Sequence, residues 1–142
     1  MKKLALLLMF ASCAKAPNAF DPQLAKSLGA DEHGMHAYVL VVLKTGPTRV
    51  PDGPARDEMF KGHFANIHRL ADEKKLAYAG PLDGVDGWRG IFILNVESID
   101  DAKKLVATDP VIINGEMVAE LHLHWGSAAL QLMNGLHTQV SK

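Results

Sequence analysis

The run His36-Ala37-Tyr38-Val39-Leu40-Val41-Val42-Leu43-Lys44 constrains this chain more than any other stretch. It is apolar at odd and even positions alike and rich in β-branched residues. A strand sends alternate side chains to opposite faces, so such a run belongs in the centre of a sheet. Gly46-Pro47 ends it, and a turn-rich loop leads to Pro54. Downstream, the spacing predicts a helix over 55–75 and a second strand over 76–82. A turn over 83–87 and a third strand over 90–96 follow. Ser98 with Asp101 three residues later is a capping box that opens a helix through Thr108, and a last strand covers 118–125. The order is strand, helix, strand, strand, helix, strand. That is the split βαβ pattern of an α+β, ferredoxin-like unit, βαββαβ, with both helices on one side of four strands. In the last strand Ala119, Leu121, Leu123 and Trp125 alternate with Glu120, His122 and His124. One side is therefore greasy and the other polar and ionisable.

At 142 residues a single domain is expected, and a chain of this size buries roughly two-thirds of its unfolded surface, enough for a core without staples. The net charge of −1 gives no electrostatic footprint for nucleic acid, and no basic-aromatic strip offers base stacking. Residues 1–20 read as a signal peptide and tether. Met1-Lys2-Lys3 is the positive start, and the apolar run 4–10 is far short of the about 20 residues a bilayer span requires. Cys13, the lone cysteine, stands where a bacterial lipoprotein signal places its lipidated residue. Cleavage after Ala16 or Ala19 is the alternative. Either route predicts export, to the periplasm or cell envelope, with membrane attachment through a lipidated Cys13 in the first case. A single cysteine excludes an internal disulfide. Residues 21–35 form a short helix and loop, with Asp21 as N-cap, Pro22 in the first turn and Gly29 as the stop. Residues 36–134 form the main domain and 135–142 a tail.

Two side chains stand out chemically. His63 falls within the helical stripe Phe60, Phe64, Ile67, Leu70 and Ala71, where an apolar residue is expected. Asp109 follows the 98–108 helix and precedes Pro110, so it faces the negative end of that helix unless a donor answers it. An inward imidazole and an awkward carboxylate have complementary needs, and the pair predicts a dyad. The carboxylate would hold one ring nitrogen and fix the tautomer, leaving the other nitrogen to act as general acid and base. Isomerisation or elimination on a cyclic enol, lactone or phenol suits such a group without a cofactor. The other reading is a structural lock between two helix ends.

No serine or cysteine nucleophile accompanies the pair, since Cys13 lies in the signal and Ser127 in the terminal segment. His122 and His124 share one side of a strand with Glu120, and His36 heads a strand expected to neighbour it, a pattern open to metal or haem binding. Polar lining of the sheet face is the plainer alternative. Tyr78, Arg89, His122 and His124 are the candidate substrate-binding residues. Lys44 and Arg49 are further cations for an anionic ligand, or solvated surface, and Trp88 is either a packing cap or a stacking ring.

Four segments in order and register carry a resemblance. They are Gly62-His63-Phe64-Ala65-Asn66-Ile67, Lys75-Leu76-Ala77-Tyr78-Ala79-Gly80-Pro81, Ala107-Thr108-Asp109-Pro110 and His124-Trp125-Gly126-Ser127-Ala128-Ala129-Leu130. Together they resemble the YciI-like (YCII-related) family across 36–134. The resemblance implies a ferredoxin-like unit that pairs sheet against sheet into a dimeric α+β barrel, hence a homodimer binding a small molecule. It also implies a site at the helix histidine and the Asp-Pro aspartate, here His63 and Asp109. An enzyme similar to the family removes chloride from a chlorinated hydroxyhydroquinone. The signal and the N-terminal helix set this chain apart from shorter members.

Overall fold

The central strand forms as its composition dictates. In the computed structural model, which describes residues 19–142, β1 (Met35–Thr45) lies in the sheet interior, bonded to β3 (Trp88–Leu94) on one side and to β4 (Met117–Ser127) on the other. Both pairings are antiparallel, and β2 (Leu76–Pro81) completes the order β2-β3-β1-β4. This is the ferredoxin-like sheet expected from the element order. Cys13 and the expected signal sequence up to residue 18 lie outside the described residues. Among the described residues no helix is long and apolar enough to cross a membrane.

One sheet face carries the core. Val39, Val41 and Leu43 of β1, Phe92 and Leu94 of β3 and Leu76 of β2 pack against Met59 and Leu70 of α2 (Pro54–Asp72) and Ala102 and Val106 of α3 (Ile99–Val106). From β4, Met117, Ala119 and Leu121 join them, as the alternation predicts. Leu123 and Trp125 run beyond this cover and are largely exposed. The opposite face presents Leu40, Val42, Ile91 and Ile93, paired across β1 and β3, beside His122 and Glu120 of β4.

Several boundaries depart from expectation for local reasons. The second helix ends at Asp72 rather than Lys75, because Lys74 takes a left-handed backbone (φ 57°). The Lys75 N–H then reaches back to the Leu70 carbonyl, closing the helix end as a glycine usually would. The 98–108 helix stops at Val106, and Asp109-Pro110 opens a separate short helix, α4 (Pro110–Ile113). Residues 135–142 are not a free tail. A 3₁₀ segment (Ala128–Leu132) and α5 (Met133–Val140) carry the chain from the end of β4 back to β2. Among the bonds that fasten this strap are Ala128 N–H to the Gly34 carbonyl, Gln131 Nε2 to the Leu28 carbonyl, Asn95 Nδ2 to Gln131 Oε1, and Asn134 Nδ2 to the Leu76 carbonyl. The Leu28 contact ties in α1 (Pro22–Ser27), whose Asp21 caps the Gln23 and Leu24 N–H groups.

Candidate functional site

The inward edge of α2 is Met59, His63, Asn66 and Leu70, at helical spacings of four, three and four. The apolar stripe read from sequence is thus turned by one residue. Phe60 and Ile67 flank the buried edge, and Phe64 stands 57% exposed at the outer wall of a cleft. Gly62 permits this seating, since a Cβ there would lie 3.0 Å from Pro110 Cγ. Without a side chain at 62, α2 rests directly on the start of α4 and brings His63 over Asp109.

The Asp109 carboxylate is not the misfit its position after a helix implies. It is the N-cap of α4, accepting from the Val111 N–H at 3.1 Å, and so faces the positive end of that helix. Proline at the first helical position, read as a stop, is here a start. The carboxylate is fully buried and meets His63 Nδ1 at 2.9 and 2.8 Å through its two oxygens. A carboxylate only accepts, so Nδ1 carries the proton and donates. Asn66 Nδ2 adds a longer contact at 3.5 Å, and its Oδ1 accepts from Arg69 Nη2 at 2.7 Å and Thr108 Oγ1 at 3.1 Å. Asn66, Arg69 and Thr108 are members of this network that the sequence reading passed over. A polar residue three after His63 on the inward edge was the available signal for Asn66.

His63 Nε2 makes no hydrogen bond, yet no buried side-chain nitrogen or oxygen among the described residues lacks a partner. Nε2 therefore reaches accessible space. His63 lines a cleft of about 510 Å³ between α2 and the β2–β3 hairpin, walled by Phe60, Phe64, Ile67, Leu82, Phe92 and Met117. Its ring stacks on Phe92 at a 6.1 Å centroid separation and meets Phe64 at 5.4 Å. The arrangement is one imidazole, fixed from behind by a buried carboxylate, with its free nitrogen in a mainly apolar hollow.

Of the four candidate substrate-binding residues, only Arg89 lines this cleft. Register explains why. A bulge places Lys44 opposite Trp88 rather than Arg89, and the Arg89 side chain turns towards the core side. Lys44 instead sits over the Trp88 ring at 5.9 Å and pairs with Glu120 at 2.9 Å. Tyr78, His122 and His124 belong to the opposite sheet face. His122 and His124 alternate with core-packed Leu121, and Tyr78 lies over Gly80 next to core-packed Ala79. His122 Nε2 donates to Glu120 Oε1 at 2.8 Å.

The histidine trio does not converge. His36 registers with Gly126, and its ring nitrogens meet the Gly29 carbonyl at 3.2 Å and Asn95 Oδ1 at 2.9 Å. Among the described residues no group of three or more His, Cys, Asp or Glu side chains is arranged to hold a metal ion. Arg49 pairs with exposed Asp52.

A second buried ion pair borders the cleft. Glu116, 2% exposed, takes Arg56 Nη2 at 2.7 Å and the Val50 N–H at 2.8 Å, tying the 46–53 loop to the start of β4. Arg56, with burial opposing, holds the Glu116 carboxyl below its ordinary range, helped by the Val50 N–H. Nothing in the local pattern marked Glu116 as buried.

No family model matches this chain. Over 81 residues, covering 57% of the chain and 85% of its relative, it is 25% identical to the uncharacterized protein YjpA of Bacillus subtilis strain 168.

Proposed function

We propose that this chain is an exported YciI-like protein that moves protons on a small molecule without a cofactor, as a lyase or isomerase acting on a cyclic or enolic compound. One observation carries the reading: His63 donates through Nδ1 to buried Asp109 while Nε2 opens on the cleft. The Nε2 lone pair takes a proton from a C–H beside a carbonyl or from a phenolic O–H. The C–H or O–H electron pair moves into the substrate's π system, and Asp109 accompanies the imidazolium that forms. Return of the proton to another carbon completes an isomerisation. Its delivery to a departing group completes an elimination. The apolar walls keep bulk water from competing for that proton.

The test is deuterium incorporation from heavy water into a panel of cyclic enols, lactones and phenols. Wild type is expected to accelerate exchange into at least one of them, and His63→Gln to abolish the acceleration with its melting temperature preserved. Equal exchange in both proteins would defeat the reading. The mainly apolar walls favour one alternative, a binding protein that performs no chemistry; there His63→Gln changes ligand affinity and no compound exchanges.

Two further parts of the proposal have their own support. Half-buried Leu40, Ile91 and Ile93 on the face away from the helices favour a homodimer closed sheet to sheet. The positive start, apolar run and Cys13 favour export with a lipid anchor, and the mass of the mature N-terminus decides between acylation and cleavage further on.

A further inference from the structure

Arg89 is held differently from the other guanidinium at Glu116. Arg56 docks on Glu116 Oε1 at 2.7 Å and donates through Nη1 to the Val50 carbonyl at 2.9 Å. Arg89 Nη1 stays 3.8 Å from that same oxygen, beyond hydrogen-bond reach, and its side chain makes no hydrogen bond to any described residue. It is 27% exposed and lines the cleft that contains His63. Arg56 and Arg89 face the single buried carboxylate of Glu116, and Arg56 occupies it; the other acids nearby, Asp52 and Asp57, answer Arg49 and Arg56 rather than Arg89. Asp109 does not supply the missing anion, because its oxygens are taken by His63, Asn66 and the Val111 N–H. His68, the other titratable group on the cleft wall, offers no negative charge.

We propose that the cleft takes an organic monoanion, a carboxylate gripped by the Arg89 fork with its apolar body against Phe60, Phe64 and Phe92. This rests on the reading of the cleft as the ligand site. A guanidinium presents two parallel N–H donors that match a carboxylate, and such charge-assisted pairs are about twice as strong as neutral ones. One guanidinium without a hydrogen-bonded acid suits a monoanion. A phosphate dianion would need a second uncommitted cation, and Arg56 is already taken. Carboxylate recognition then fixes which atom reaches His63 Nε2, since the anionic end lies at the Arg89 side and the reacting end at the α2 side.

The experiment is calorimetric titration of the purified protein with 3-phenylpropionate, its neutral isostere 3-phenylpropanamide, and phenyl phosphate. The acid is expected to bind at least about tenfold more tightly than the amide, a difference of about 1.4 kcal/mol, and more tightly than the phosphate. Arg89→Met should bring the acid-to-amide ratio to about one, and Arg89→Lys, which keeps the charge without the fork, should retain part of it. Circular dichroism establishes that each variant is folded. Equal binding of acid and amide, no binding of either, tighter binding of phenyl phosphate, or a ratio that survives Arg89→Met would each overturn the proposal. The deuterium-exchange test fails independently. A strong acid preference without exchange keeps the ligand class and removes the chemistry, and exchange without acid preference does the reverse.

Discussion

At the scale of single residues, the site depends on Asp109 serving two neighbours at once. It caps α4 and orients His63, so its variants separate the two roles. Asp109→Asn keeps a good capping side chain but puts an amide against Nδ1. It is expected to lower turnover by on the order of a hundredfold or more with little change in melting temperature, measured by exchange kinetics and calorimetry. Asp109→Ala loses the cap as well and should cost about 1 kcal/mol or more of stability. If the asparagine variant unfolded while turning over normally, the roles would have been assigned the wrong way round. The identities of His63 and Asp109 were legible in the sequence, because each residue type stood out against its local pattern. The reason given for Asp109 was not. Asp-Pro following a helix reads as a stop, and only the turn of α4 shows that it is a start.

Among the elements, the strand and helix order was legible because β1 is an unbroken apolar run, β4 alternates with a period of two, α2 carries a stripe at helical spacing and Ser98 with Asp101 marks the start of α3. What local pattern does not encode is register. The bulge opposite Lys44 that turns Arg89 towards the cleft is a property of two paired strands, as is the separation of Tyr78 from His63. The four-residue α4 and the strap of α5 were missed because short helices gain their stability from packing rather than from their own sequence. Glu116 makes an element-scale prediction, since it joins the 46–53 loop to β4. Its carboxyl is held below the ordinary value of 4.5, so the stability it adds is fully present above that value. It is lost as the pH falls through the depressed value. Glu116→Gln should therefore flatten the fall of melting temperature with acidification below pH 4.5, while lowering stability at neutral pH by on the order of 3 kcal/mol. Parallel acid profiles for wild type and variant would contradict this.

For the whole molecule, the helices cover one sheet face, and the other retains half-buried aliphatics beside charged and aromatic side chains. If two chains close on that face, Ile91→Lys with Ile93→Lys should give a monomer by sedimentation, with the helix-side core intact. A wild-type monomer at micromolar concentration would remove the dimer. Leu94 is fully buried on the helix side, and Leu94→Ala should cost about 2–5 kcal/mol whatever the oligomeric state. Both the chemistry and its placement in the fold come down to which nitrogen of one imidazole carries the proton. Long-range nitrogen–proton NMR on protein labelled in histidine reads this directly. His63 is expected to show a proton on Nδ1, held by Asp109, and an Nε2 whose resonance moves when a ligand enters the cleft. A proton found on Nε2 with Nδ1 bare, or an Nε2 signal indifferent to every cleft ligand, would contradict the dyad as a centre of proton transfer.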